Sequence, residues 1–300
     1  MKRLKVLVIC GGGVFGVLPS HFLSMLPTTH QNLESVDVVA GCSIGGILAA
    51  AYSVGHTFAA IDDCFQKRAK DCFQKRTWAK INPLECPIYD SEGLYEVIEA
   101  MIGSNLLRDV KKVYPQLKII VPALNATKDK PIVFQNITHR YDKVSLVNVA
   151  KMTSAAPSYF DCVEFEGDAI IDGGLLDVDG ALTAVTTVKK LLGIPFAAMD
   201  VLILGTGQDV DEEPLTVKAY RKLNMLGMAT DVLRAYATLG NKEMSKDHLE
   251  GLGLHYMNYF NPVIINGELD DVKQILSLVK EADKHQEAFL AAWHEWMTKR

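Results

Sequence analysis

A serine flanked by glycines, Gly41-Cys42-Ser43-Ile44-Gly45, directly follows the apolar run Val36-Asp37-Val38-Val39-Ala40. The chain must therefore turn sharply from a buried strand into a helix. Gly41 and Gly45 leave room for a strained backbone. The turn lifts the Ser43 hydroxyl out of the sheet to a helix N-terminus, where free N–H groups favour negative charge. A hydroxyl so placed is a candidate nucleophile toward an acyl carbon. Alone, the pattern also fits an ordinary tight turn, because small residues are common there.

Strands and helices alternate on both sides of this turn, which predicts an α/β sheet covered by helices on both faces. Strands are expected at Leu4 to Cys10, Val36 to Ala40, Leu117 to Ala123, Ile132 to Gln135, Ala169 to Ile171 and Val201 to Leu204. Helices are expected from Gly16 to Leu26, after Ser43 through Val54, from Phe58 to Lys80, from Ser91 to Ile102 and from Leu146 to Ala156. A Pro-containing connection, Asn82-Pro83 to Tyr89, separates two of them. The last third offers helices at Leu215 to Leu239 and Leu269 to Met297, giving a core over 1–210 and a helical C-terminal portion over 211–300. Aromatic and Met-rich positions at Leu223 to Met228 and Tyr256 to Phe260 read as core, or as an acyl channel, lid or interface.

With 300 residues, 49% hydrophobic and 22% charged, the chain buries a large core. A net charge of −5 gives no whole-molecule attraction for DNA, RNA or anionic lipid. The six scattered cysteines form no C-x-x-C pair and no zinc-ligand spacing, which points to a reduced, cytoplasmic compartment and no structural metal. The basic N-terminus and apolar Val6 to Cys10 imitate a signal peptide, but the run stops at three glycines and reads as a first buried strand. No stretch reaches the roughly 20 apolar residues that span a bilayer.

Gly11-Gly12-Gly13-Val14-Phe15-Gly16 follows the first strand and opens a helix. It satisfies G-x-G-x-x-G, so a dinucleotide reading competes. That reading expects an acidic residue at the end of the second strand, whereas Asp37 lies at its start and the end holds Gly41-Cys42-Ser43. The other reading makes Gly11, Gly12, Gly13 and Val14 an oxyanion hole, with backbone N–H groups converging on one oxygen. A third motif, Ile170-Ile171-Asp172-Gly173-Gly174, sets a carboxylate at the end of an apolar strand. It is either a common turn or the base that takes the Ser43 proton.

Glycine loop, serine elbow and D-G-G motif occur in this order, accompanied by Thr153-Ser154-Ala155-Ala156-Pro157, Tyr159-Phe160 and Leu202-Ile203-Leu204-Gly205-Thr206-Gly207. Over about Leu4 to Gly207 the chain resembles the patatin-like phospholipase family. The resemblance implies a patatin-like three-layer α/β/α sandwich with a mostly parallel central sheet. It also implies acyl-ester hydrolysis of membrane phospholipid by a Ser43–Asp172 dyad, with Gly173 and Gly174 supporting the base, peripherally on the inner membrane and with no metal or organic cofactor. Compact bacterial relatives include effectors of antiphage defence that a cyclic dinucleotide switches on. The resemblance therefore extends to a cyclic dinucleotide activator and a homo-oligomer, with the C-terminal third as ligand or assembly region. Family members often carry Arg where this chain has Phe15.

The competing scheme is a constitutive Ser-His-Asp esterase of small or neutral lipid esters, since His248 and His255 follow Asp172 in the chain order of α/β-hydrolases and His21 follows the glycine loop. Finally, Asp63-Cys64-Phe65-Gln66-Lys67-Arg68 recurs as Asp71-Cys72-Phe73-Gln74-Lys75-Arg76. On one continuous helix an eight-residue shift would turn the second copy about 80° away from the first. The basic stretch Ile61 to Lys80, interleaved with Phe65, Phe73 and Trp78, reads as a solvated face or a surface for phospholipid headgroups or a partner.

Overall fold

The computed structural model describes residues 3–77, 87–209, 241–264 and 270–299. The expected helix Leu215 to Leu239, the segment Leu223 to Met228, Trp78 and Cys86 lie outside the described residues.

Alternating side chains of the first strand, β1 (Leu4–Ile9), show why the sheet is central: Leu7 and Ile9 enter one buried cluster, Val6 and Val8 a second. A strand buried on both faces reads as a continuous apolar run. Beside β1 lie β2 (Val38–Gly41) and then β3 (Lys118–Asn125), both in parallel register. β3 pairs with β2 only as far as Ile120. Its overhang receives the hairpin partner β4 (Lys130–Gln135) and, antiparallel, β6 (Asp168–Asp172), which β5 (Val163–Phe165) extends. The antiparallel return sets Asp172 opposite Ala123, close to the level at which β2 gives way to Ser43.

On the other side of β1 lies β7 (Met199–Leu204), and outside it, again parallel, β9 (Tyr256–Phe260). Tyr256 to Phe260 is thus an edge strand of the main sheet, and the portion expected to be helical supplies part of that sheet. Its aromatic run is a strand signal that the flanking helical pattern obscured. A short parallel pair, β8 (Gln208–Asp209) with β10 (Val263–Ile264), continues beyond this edge.

One face carries α1 (Val17–Ser24), α2 (Ile44–Ser53), α3 (Phe58–Cys72), α4 (Ser91–Ile102) and α6 (Leu146–Thr153), with the single turn α5 (Val110–Val113) after α4. The opposite face carries α7 (Ala181–Leu192) and α8 (Asn241–Gly251). The stretch expected as one helix from Leu269 to Met297 is instead two, α9 (Ile275–Lys284) and α10 (Gln286–Thr298), broken at His285 and packed on the first face. The expected fold class, a three-layer α/β/α sandwich with a mostly parallel sheet, is the one observed.

The helix expected through Lys80 ends at Cys72. Phe73 leaves the helical region (φ −114°, ψ 52°), and the chain runs on extended, with the Arg76 N–H donating to the Ile88 carbonyl. The first copy of the repeat is therefore helical and most of the second is not. Phe65 and Phe73 then line the same pocket despite their spacing.

Candidate active site

Ser43 sits at the N-cap of α2 with φ 54° and ψ −126°, a region that L-residues rarely occupy. Two close approaches hold it there. A Cβ on Gly41 would run into the Gly45 carbonyl, and one on Gly45 would run into the Ile9 carbonyl. These glycines let the strand end, the helix start and β1 crowd together. The Ser43 N–H is fastened by the Thr153 hydroxyl oxygen at 3.1 Å, and that hydroxyl donates to the Pro122 carbonyl at 2.7 Å. Strain at the elbow is thus held by partners on β3 and α6.

Asp172 is buried, and it lines the same pocket as Ser43. Burial pushes this carboxyl up to about 6, while the dipoles of the Ser43 hydroxyl, the Gly174 amide and the Cys42 thiol oppose the rise. The Gly174 N–H donates to Oδ1 at 2.7 Å, and the Cys42 thiol approaches the same oxygen at 3.6 Å. Gly173 is pressed against β3, where a Cβ would lie 2.6 Å from the Pro122 carbonyl oxygen. A carboxylate surrounded by dipoles rather than by cations stays basic enough to accept a proton near neutral pH.

The glycine loop divides into two parts. The Gly11 N–H donates to the Val178 carbonyl at 2.9 Å, so Gly11 has no amide to offer an oxyanion, contrary to the expectation. Gly12 (φ 153°) and Gly13 (φ 57°) adopt backbone angles suited to glycine, and among the described residues their amides have no acceptor. These two glycines and Ser43 line one pocket together with Ile47, Phe65, Cys72, Phe73, Leu94 and Phe160. Ser154, Ala156 and Pro157 line it too, and the Ala155 carbonyl accepts the Asp172 N–H at 3.0 Å. An apolar pocket whose lining includes a hydroxyl, a buried carboxylate and the glycine loop suits an ester with an acyl chain.

A family model described as patatin-like phospholipase matches residues 7–185. The chain belongs to the patatin-like phospholipase family. Membership implies lipid acyl hydrolase activity. The chain is 29% identical over 305 aligned residues to a "cGAMP-activated phospholipase" of Escherichia coli (strain TW11681), covering 90% of this chain and 83% of that one. It is 25% identical to a protein of the same name from Vibrio cholerae serotype O1, covering 82% and 76%. Among solved structures it is similar to VipD from Legionella pneumophila, with 13% identity, coverage of 94% and 67%, and a TM-score of 0.45.

In this patatin-like chain Phe15 is buried in the core, and no Lys, Arg or His lines the pocket among the described residues. The histidine scheme finds no partner for Ser43. His21 Nδ1 lies 2.8 Å from Asp62 and its Nε2 3.2 Å from Asp283, His255 Nδ1 lies 2.6 Å from Asp200, and His248 is exposed on α8. Sequence reasoning gave no role to Cys42, which lies inside the elbow motif, or to Thr153, which was named only as part of a motif, and it missed Val178; Thr153 and Val178 reach the site from segments distant in the chain.

Proposed function

We propose that this chain is a phospholipase A-type serine hydrolase that cleaves membrane phospholipid esters, with Ser43 as nucleophile and Asp172 as general base. The observation that carries the reading is a serine on a strained elbow that lines one apolar pocket together with a buried carboxylate, with no cationic side chain among the described lining residues. Asp172 takes the Ser43 proton as the oxygen attacks the ester carbonyl. The amides of Gly12, Gly13 and Val14 hold the oxyanion, and the lysolipid alkoxide leaves with a proton from Asp172. Water then enters, loses its proton to Asp172, and releases fatty acid from the acyl-enzyme.

We assign control to a cyclic dinucleotide, in a cytoplasmic effector of antiphage defence that acts peripherally on the inner membrane. The support is the likeness to two bacterial cGAMP-activated phospholipases, which runs past the residues matched by the family model. The portion over 211–300 is the proposed region for ligand or self-association.

The test is fatty-acid release from mixed phospholipid vesicles by wild type and Ser43→Ala, with and without a panel of cyclic dinucleotides that includes cGAMP. Serine-dependent release only with one dinucleotide is the expected result. Release without any ligand would overturn the control, and release by Ser43→Ala would overturn the dyad.

A further inference from the structure

We propose that Thr206 is a positioning residue that aims the Gly12 amide at the oxyanion, and that Asn261, just past β9, holds Thr206 in place. The inference rests on the reading of the glycine loop as the oxyanion hole.

The peptide unit is planar. In a trans peptide the carbonyl of one residue and the N–H of the next point in opposite directions and rotate together. No cis peptide occurs among the described residues. The buried Thr206 hydroxyl donates to the Gly11 carbonyl at 2.8 Å. Fixing that oxygen toward β7 fixes the Gly12 N–H on the opposite side of the same plane, where Gly12 lines the Ser43 pocket. The preceding peptide is pinned as well, because the Gly11 N–H donates to the Val178 carbonyl. Gly12 also rests on the threonine: a Cβ there would come within 2.5 Å of Thr206 Oγ1. An oxyanion donor contributes most when it is already aimed before the charge develops, so this orientation is a catalytic asset.

Thr206 sits in a turn with a support of its own. The Gly205 N–H donates to the Phe260 carbonyl at 2.9 Å, and the Gly207 N–H donates to Asn261 Oδ1 at 2.8 Å. The Asn261 side chain covers Gly205 so closely that a Cβ there would collide with it. A continuous chain of contacts therefore runs from β9 through Asn261 and the Gly205–Gly207 turn to Thr206 and the Gly11–Gly12 peptide.

Turnover of 4-nitrophenyl butyrate, with and without cGAMP, tests this in wild type, Ser43→Ala, Thr206→Val, Thr206→Ser and Asn261→Ala. Thr206→Val keeps the shape and loses the donor. It should lower kcat about 10- to 100-fold with KM little changed, since removing an oxyanion donor outright costs about 10²- to 10³-fold. Thr206→Ser should restore near wild-type kcat, and Asn261→Ala should fall between the two. Affinity for an alkyl trifluoromethyl ketone, which forms an oxyanion on Ser43, should fall in proportion to kcat. Affinity for the matching fatty acid should not. Wild-type kcat in Thr206→Val, or a loss of kcat that leaves the ketone affinity intact, would overturn the proposal. Absence of Ser43-dependent turnover in wild type under both conditions would overturn the reading of the site, and this inference with it.

Discussion

Two buried aspartates at opposite ends of one sheet have opposite surroundings. Asp172 ends β6 and, among the described residues, its carboxylate has only dipolar hydrogen-bond partners, an amide and a thiol. Asp200, near the start of β7, has no exposed surface and meets the Lys5 ammonium at 2.9 Å and His255 Nδ1 at 2.6 Å. Around it, Lys5 also donates to the Trp296 carbonyl, and Trp296 Nε1 donates to the Asp200 carbonyl at 2.9 Å. The two sites show that burial alone does not give an aspartate a task. A buried carboxylate with only dipolar partners keeps its affinity for a proton, whereas Asp200, paired with the Lys5 ammonium, is a strut that binds β1, β7 and α10 together.

The sharpest way to break this comparison is to neutralise each carboxylate in turn. Asp172→Asn should reduce serine-dependent hydrolysis about 10³-fold or more while the thermal midpoint holds or rises, because the change removes a base and a buried charge. Asp200→Asn should do the reverse. It leaves Lys5 facing a neutral partner and should cost about 3 kcal/mol in urea unfolding, with turnover per folded molecule kept. A folded but inactive Asp200→Asn protein, or an unfolded Asp172→Asn protein, would erase the distinction.

Titration sharpens it further. Burial raises the Asp172 carboxyl from its ordinary 3.8 to about 6, so the folded chain binds this proton more tightly than the unfolded chain does. The stability it contributes is complete below pH 3.8 and is lost as pH rises through about 6, a swing of about 3 kcal/mol. Turnover runs the other way and should fall below about pH 6 as the base protonates. Urea titrations and pH–rate profiles of wild type and Asp172→Asn check both, since the substitution should abolish the swing.

The smallest effect belongs to His21, which joins α1 to Asp62 on α3 and Asp283 on α9. Burial pulls its pKa down, but hydrogen bonds and charge from the two aspartates outweigh burial and raise it above 6.5. Its contribution is therefore complete below pH 6.5 and is lost as pH rises through the higher folded value. His21→Gln should remove that dependence at a cost below about 1 kcal/mol, because Asp283 is largely exposed and screened. A larger loss of activity than of stability would instead tie His21 to the site.

The local turns of the candidate site were easier to read in the sequence than their supports. The turns at Ser43, Asp172 and the glycine loop were legible because each is a local motif whose glycines answer to sterics within a few residues. The split within that loop was not, because the acceptor of the Gly11 amide, Val178, is 167 positions away in the chain, the difference of the two numbers. The fate of the repeat was hidden for another reason. Identical hexapeptides carry identical helix propensity, so only tertiary contacts, such as the Arg76 pairing with Asp161 and the hydrogen bond from the Arg76 N–H to Ile88, select the extended form of the second copy. The strand Tyr256–Phe260 was lost among helices because five residues are too few for periodicity to outweigh their neighbours.

The edge strand β9 also bears on how the molecule is made. A chain emerging from the ribosome has released the glycine loop, the elbow and the D-G-G motif by Gly174, but at Gly207 the outer edge of β7 is still bare. Pairing Leu204 with Phe260 closes a separation of 56 residues, their difference in number, and such non-local pairings form late. Asn261 arrives only after that strand. All three motifs are thus synthesised well before the edge strand that completes their sheet.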